Sequence, residues 1–144
     1  MTRIKTRFGE IEYKPEHLLA FPSGLIGFPN LRGFVVMPNR KEGPLFWIQS
    51  VDDPDMAFVL TDPTHFFPNY AVRPEAAELE LLGIDTQDEC HVIAVVTVPP
   101  DLHITLNLSA PILFAPKTNR AVQVIVEDSP YSTKTPLPKV SEDR

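Results

Sequence analysis

Sixteen of the 144 residues are proline, about twice the usual frequency, and this limits what the chain can build more than any other feature. Proline ends helices and is excluded from central strand positions, so regular structure must come in short pieces. A chain of 144 residues can close one sizeable core but hardly two. With hydrophobic residues at 43% and charged residues at 22%, its composition is that of an ordinary folded protein. The expectation is therefore one domain over residues 1–144, mostly β, with at most one short helix.

The pattern along the chain supports short strands. Apolar side chains occupy even positions from Ile4 to Phe8 and odd ones at Ile11 and Tyr13, which requires a turn or bulge at Gly9. Phe21-Pro22-Ser23-Gly24 has the chemistry of a tight turn, and Leu25, Ile26 and Phe28 read as buried anchors after it. Four runs, 34–37, 45–51, 56–61 and 90–98, are rich in β-branched and aromatic residues, and the Asp-Pro-Asp turn at 53–55 makes the middle two a hairpin. Leu102, Ile104, Leu106 and Leu108 alternate with polar residues, the period of a strand with one wet face.

Residues 112–114 and 122–126 add two strands joined by a turn at 116–120, and one helix fits between Pro74 and Gly83, with a strand as the alternative there. The tail from about residue 128 lacks an apolar pattern and is expected to be partly extended or mobile. About nine short strands point to a small antiparallel β-barrel or a sandwich.

Marks of catalysis are sparse. His17, His65, His91 and His103 lack metal-site spacing. Cys90 and His91 are neighbours, so on a strand they would point to opposite faces, and Cys90 reads as a small core residue. There is no G-x-S-x-G elbow and no phosphate loop. The expectation is a protein with no enzymatic activity, cofactor or metal. A hydrolase would have to draw on Ser23, His17 or His65 with an aspartate, and a small-ligand or carbohydrate-binding barrel on a cavity lined by Trp47, Phe58 and Tyr70.

The net charge of -6 disfavours direct nucleic-acid binding and suits a basic protein partner. The stripe Arg3, Lys5 and Arg7 is too small to change that. One cysteine, no signal-like apolar start and no spanning apolar run together suggest a cytoplasmic chain that does not enter the membrane. Asp52, Asp53, Asp55 and Asp62 read first as turn formers. As partner contacts the candidates are Asp53, Asp55 and Asp62 on the acidic side, with Phe66, Phe67 and Tyr70 as an apolar patch or as core.

Several segments, taken in order, resemble the flagellar assembly factor FliW family over nearly the whole chain. They are Phe8-Gly9-Glu10-Ile11, Phe21 through Phe28, Phe46-Trp47-Ile48-Gln49-Ser50, Asp53 through Phe58, Asp62-Pro63, Val96-Thr97-Val98-Pro99 and Asn107 through Ile112. The sequence departs from the family pattern at Leu113-Phe114-Ala115 and at Ala121-Val122-Gln123. The resemblance implies a β-barrel adaptor that binds flagellin and also binds the RNA-binding translational repressor CsrA, preventing it from silencing flagellin mRNA. Nothing in the sequence fixes the oligomeric state.

Overall fold

The computed structural model describes residues 2–6, 9–37, 44–98, 100–101, 103–127 and 130–137. Strands β1 (Thr2–Thr6) and β2 (Gly9–Tyr13) form a separate antiparallel hairpin. Gly9, at φ 101°, takes the backbone conformation that the expected change of face requires. Arg3 pairs with Glu10 and Glu12 across this hairpin, so the basic stripe is partly neutralised within it.

The larger sheet is built from β3 (Leu19–Ala20), β4 (Gly33–Met37), β5 (Leu45–Ser50), β6 (Ala57–Thr61), β7 (His91–Thr97), β8 (Thr105–Leu106), β9 (Ile112–Ala115), β10 (Arg120–Gln123) and β11 (Thr135–Pro136). Seven of these close a barrel in the order β7, β6, β5, β4, β3, β10, β9 and back to β7. An odd number of strands cannot alternate direction all the way round a ring, so one joint must be parallel. That joint is β3 with β10, and it has a single register pair, Arg120 with Ala20. The next rung would need an N–H from residue 22, which is proline.

Phe21, Phe34, Ile48, Leu60 and Ile112, each at most 1% exposed, fill the barrel interior. Two further apolar clusters lie on its outer wall. On β7, Ile93 and Val95 belong to the interior, whereas Ala94 and Val96 face outward beneath Leu106, Leu108, Phe66, Phe67 and Tyr70. On β9 and β10, Ile112 and Ala121 face inward while Leu113 and Val122 meet Leu79 and Leu82 of helix α1 (Ala76–Leu82). Strands β7, β9 and β10 are therefore covered on both sides, which is why the run at 90–98 is nearly continuous in apolar residues rather than alternating.

The helix falls where the sequence placed it. Glu75 and Glu78 form a reciprocal capping box, and Gly83 ends the helix at φ 72°, its N–H donating to Glu80 O and Leu79 O. The turn at Phe21 also forms, with Gly24 N–H donating to Phe21 O at 2.9 Å. The 52–55 turn joins β5 to β6 as an antiparallel hairpin.

Four expectations need correction. Leu25 is buried, but Ile26 is 49% and Phe28 42% exposed, because Leu25 and Phe28 bridge each other and throw the tip outward. The alternation at 102–108 yields only the two-residue β8, although Asn107 N–H still reaches Val95 O in the register of β7 and Leu108 N–H crosses to Ser132 O on the opposite side; Leu102 is outside the described residues. The last barrel strand runs Arg120–Gln123 rather than 122–126, although Val124 and Val126 N–H continue its register to Pro111 O and Ser109 O. Finally, Trp47, Phe58 and Tyr70 line no common cavity: Phe58 packs inside against Phe34, Trp47 is 37% exposed, and Tyr70 sits in the outer layer.

Where it is described, the tail is held by a turn at 132–135 and is extended only at its end. Thr135–Pro136 adds β11 to β8, and Tyr131 packs edge-on against Phe67 and Tyr70 at 5.7 and 5.3 Å. Residues 138–144 lie outside the described residues.

Candidate interaction surfaces

The six residues singled out as contacts fall into two groups at opposite ends of β6. Asp53 and Asp55 stand in the turn that enters the strand, and Asp62, Phe66, Phe67 and Tyr70 follow its exit. Five extended residues separate them by roughly 15–20 Å. They do not form one site.

At the entry turn the acids are partly structural. The Ser50 hydroxyl accepts from the N–H groups of Asp52 and Asp53, at 3.0 and 2.9 Å, and Asp53 Oδ1 accepts from Asp55 N–H at 3.0 Å. Asp52 Oδ2 accepts from the N–H groups of Arg32 and Gly33, fastening this turn to the start of β4. Beneath them Gln49 is fully buried, with its Nε2 aimed at carbonyls of the same turn. Asp55 is left exposed to solvent, which fits a contact role better than Asp53.

At the exit, Asp62 caps a single turn of 3₁₀ helix over Pro63–His65, its Oδ1 accepting from Thr64 N–H at 2.9 Å. This turn sends Phe66 and Phe67 back over the outer wall of the barrel, where both are half-buried. Tyr70 is 6% exposed and its hydroxyl donates to Leu108 O at 2.7 Å. Burial, and secondarily the charge of Tyr131, push its pKa up to about 12. Tyr70 therefore supports the patch from beneath, while the edges of Phe66 and Phe67 and the carboxylate of Asp62 reach the surface.

A cleft of about 270 Å³ beside Tyr70 includes Cys90 and His91. Burial pushes the Cys90 thiol up, away from the thiolate form that a nucleophile needs, as expected of a half-buried core cysteine. No group of three metal-ligating side chains converges among the described residues.

The sequence missed one surface. Ile26, Phe28 and Ile125 are exposed, Ile125 at 69%, and Ile26 N–H donates to Gln123 Oε1 at 2.8 Å, bringing the tip of the 25–28 hairpin beside the end of β10. The glycine at position 27, at φ 88°, was the available sign that 25–28 turns back on itself rather than burying every apolar side chain.

Comparisons with known proteins agree in direction. Residues 2–137 match the family described as FliW protein. The chain is 66% identical over 135 residues to the flagellar assembly factor FliW of Syntrophotalea carbinolica, covering 94% of this chain and 96% of that one. It is 65% identical over 140 residues to flagellar assembly factor FliW 2 of Desulfotalea psychrophila, covering 97% and 93%. Its fold superposes on a crystal structure of the flagellar assembly factor FliW with a TM-score of 0.86 at 30% identity, over 96% of this chain and 99% of that one.

Proposed function

The chain belongs to the FliW family of flagellar assembly factors, and from that premise we propose that it is a cytoplasmic, non-catalytic adaptor that switches between two protein partners. One partner is flagellin. The other is the translational repressor CsrA, whose sequestration frees flagellin mRNA for translation until new flagellin competes for the adaptor. Such a switch needs no covalent step, only relative affinities and concentrations.

The family match over nearly the whole chain carries this reading, and the fold is compatible with it. An interior packed with Phe21, Phe34, Ile48, Leu60 and Ile112 suits a protein that works through its outer surface, and favours that reading over a small-ligand or carbohydrate-binding barrel. A net charge of -6 suits a repressor whose RNA-binding surface is basic. The half-buried Phe66 and Phe67 with Asp62 suit an amphipathic helix of flagellin, and Asp55 with Asp53 would meet basic side chains. Their separation favours distinct contacts for the two partners.

Titration calorimetry of purified flagellin and purified CsrA into this protein tests the proposal. Saturable binding of both is expected, with Phe66→Ala weakening flagellin more than CsrA and Asp55→Ala the reverse. Failure of both partners to bind the folded protein would end the adaptor reading.

A further inference from the structure

The parallel joint of the barrel leaves a strand edge uncovered. Beyond β10 the same register continues into the residues before β9, with Val124 N–H donating to Pro111 O at 3.0 Å and Val126 N–H to Ser109 O at 2.8 Å. Even-numbered residues thus direct their main-chain groups at the β9 side, and alternation turns those of Gln123 and Ile125 the other way. Strand β3 does not continue alongside them. Phe21 N–H donates to Arg32 O at 2.8 Å, Pro22 has no N–H, and the chain then folds into the Phe21–Gly24 turn. Among the described residues, neither main-chain group of Ile125 has a hydrogen-bond partner.

Apolar and acidic groups flank this edge. The exposed Ile125 lies two residues from Gln123, whose side chain holds Ile26, and Phe28 follows on the same hairpin. The adjoining groove, between residues 71–78 and 122–127, carries Glu75, Glu78 and Glu127 against Arg73. An unpaired edge with apolar anchors is a template for strand addition.

We propose that the edge at Gln123–Glu127 is a docking site for an extended segment of a partner protein in which apolar and basic side chains alternate. The segment hydrogen-bonds the main chain of Gln123 and Ile125, lays an apolar side chain on Ile125 and Ile26, and places basic groups near the three glutamates. A second copy of this chain fits less well, because it would bring its own Glu75, Glu78 and Glu127 against the same acids. The inference rests on the adaptor reading only for the partner being a protein, and it adds a mode of binding.

The test uses the full chain, labelled with ¹⁵N, and a nine-residue peptide alternating valine and lysine. Amide shifts concentrated at residues 123–127 and at Ile26 are expected. Methylating alternate peptide nitrogens on the bonding edge, or replacing lysine by glutamate, should weaken binding at least tenfold. Ile125→Pro should do the same, and the fold should tolerate it because the Ile125 N–H makes no bond; Ile125→Asp serves as the second variant. No binding, shifts located elsewhere, or equal binding of the methylated peptide would overturn the proposal. So would the same shifts arising on concentration without peptide, which would mean self-association. The calorimetry with flagellin and CsrA is a separate measurement, so either result can fail alone.

Discussion

Replacing Tyr70 by phenylalanine removes one oxygen from the layer outside β7, with one consequence near neutral pH and another in alkali. The hydroxyl donates to Leu108 O at 2.7 Å in a buried setting, and losing it leaves that carbonyl without this partner, costing about 1.5 kcal/mol within a range of roughly 1–3. For 144 residues the unfolding entropy is about 0.3 kcal/mol/K, so Tm should fall by about 5 °C near neutral pH. The second consequence concerns alkali. The folded pKa of Tyr70 is raised from 10.0 to about 12, so the folded state holds a proton that the unfolded state releases between those values. This stabilisation is complete below about pH 10 and is lost as the pH rises through about 12, amounting to at most roughly 3 kcal/mol. Urea denaturation at intervals from pH 8 to 11.5 should therefore show the wild type losing stability more steeply than Tyr70→Phe above pH 10. A Tm change under about 1 °C, together with parallel alkaline profiles, would refute the buried role given to this residue.

Other substitutions test other contacts in the fold. Gly24→Ala forces a side chain at φ 70° and sets its Cβ 2.6 Å from Pro29 O, so a loss of about 3 kcal/mol is expected by calorimetry; a loss below about 1 kcal/mol would contradict the close approach. Asp52→Ala removes the acceptor for two N–H groups and should cost about 2 kcal/mol in urea denaturation. Asp55→Ala, at an exposed position, should change stability by less than about 0.5 kcal/mol while weakening CsrA, and the loss should shrink as salt is raised.

Local chemistry made much of the fold legible. The Phe21–Gly24 turn, the β5–β6 hairpin and the helix between Pro74 and Gly83 each depend on residues close in sequence, and each formed where the sequence indicated. What escaped depends on distant partners. The leucines at 106 and 108 alternate like a strand, yet regular pairing stops at Leu106, and the partners on its two sides, Val95 and Ser132, are remote in sequence. No local signal marks the parallel β3–β10 joint, because parity of strand number belongs to the closed ring. The covering of β7 on both faces could be inferred only in retrospect from its unbroken apolar run. At the candidate surfaces the strand at 56–61 already set Asp53 and Asp55 apart from Asp62, but the burial of Tyr70 against Leu108 depends on a partner 38 residues away.

The central claim is partner exchange, and a three-component titration tests it most directly. CsrA is first bound to flagellin leader RNA, this protein is added until the RNA is released, and flagellin is then added while RNA occupancy is followed by fluorescence anisotropy. The account predicts release of RNA and then its rebinding as flagellin takes the adaptor. RNA that stays on CsrA throughout, with both proteins folded, would contradict it.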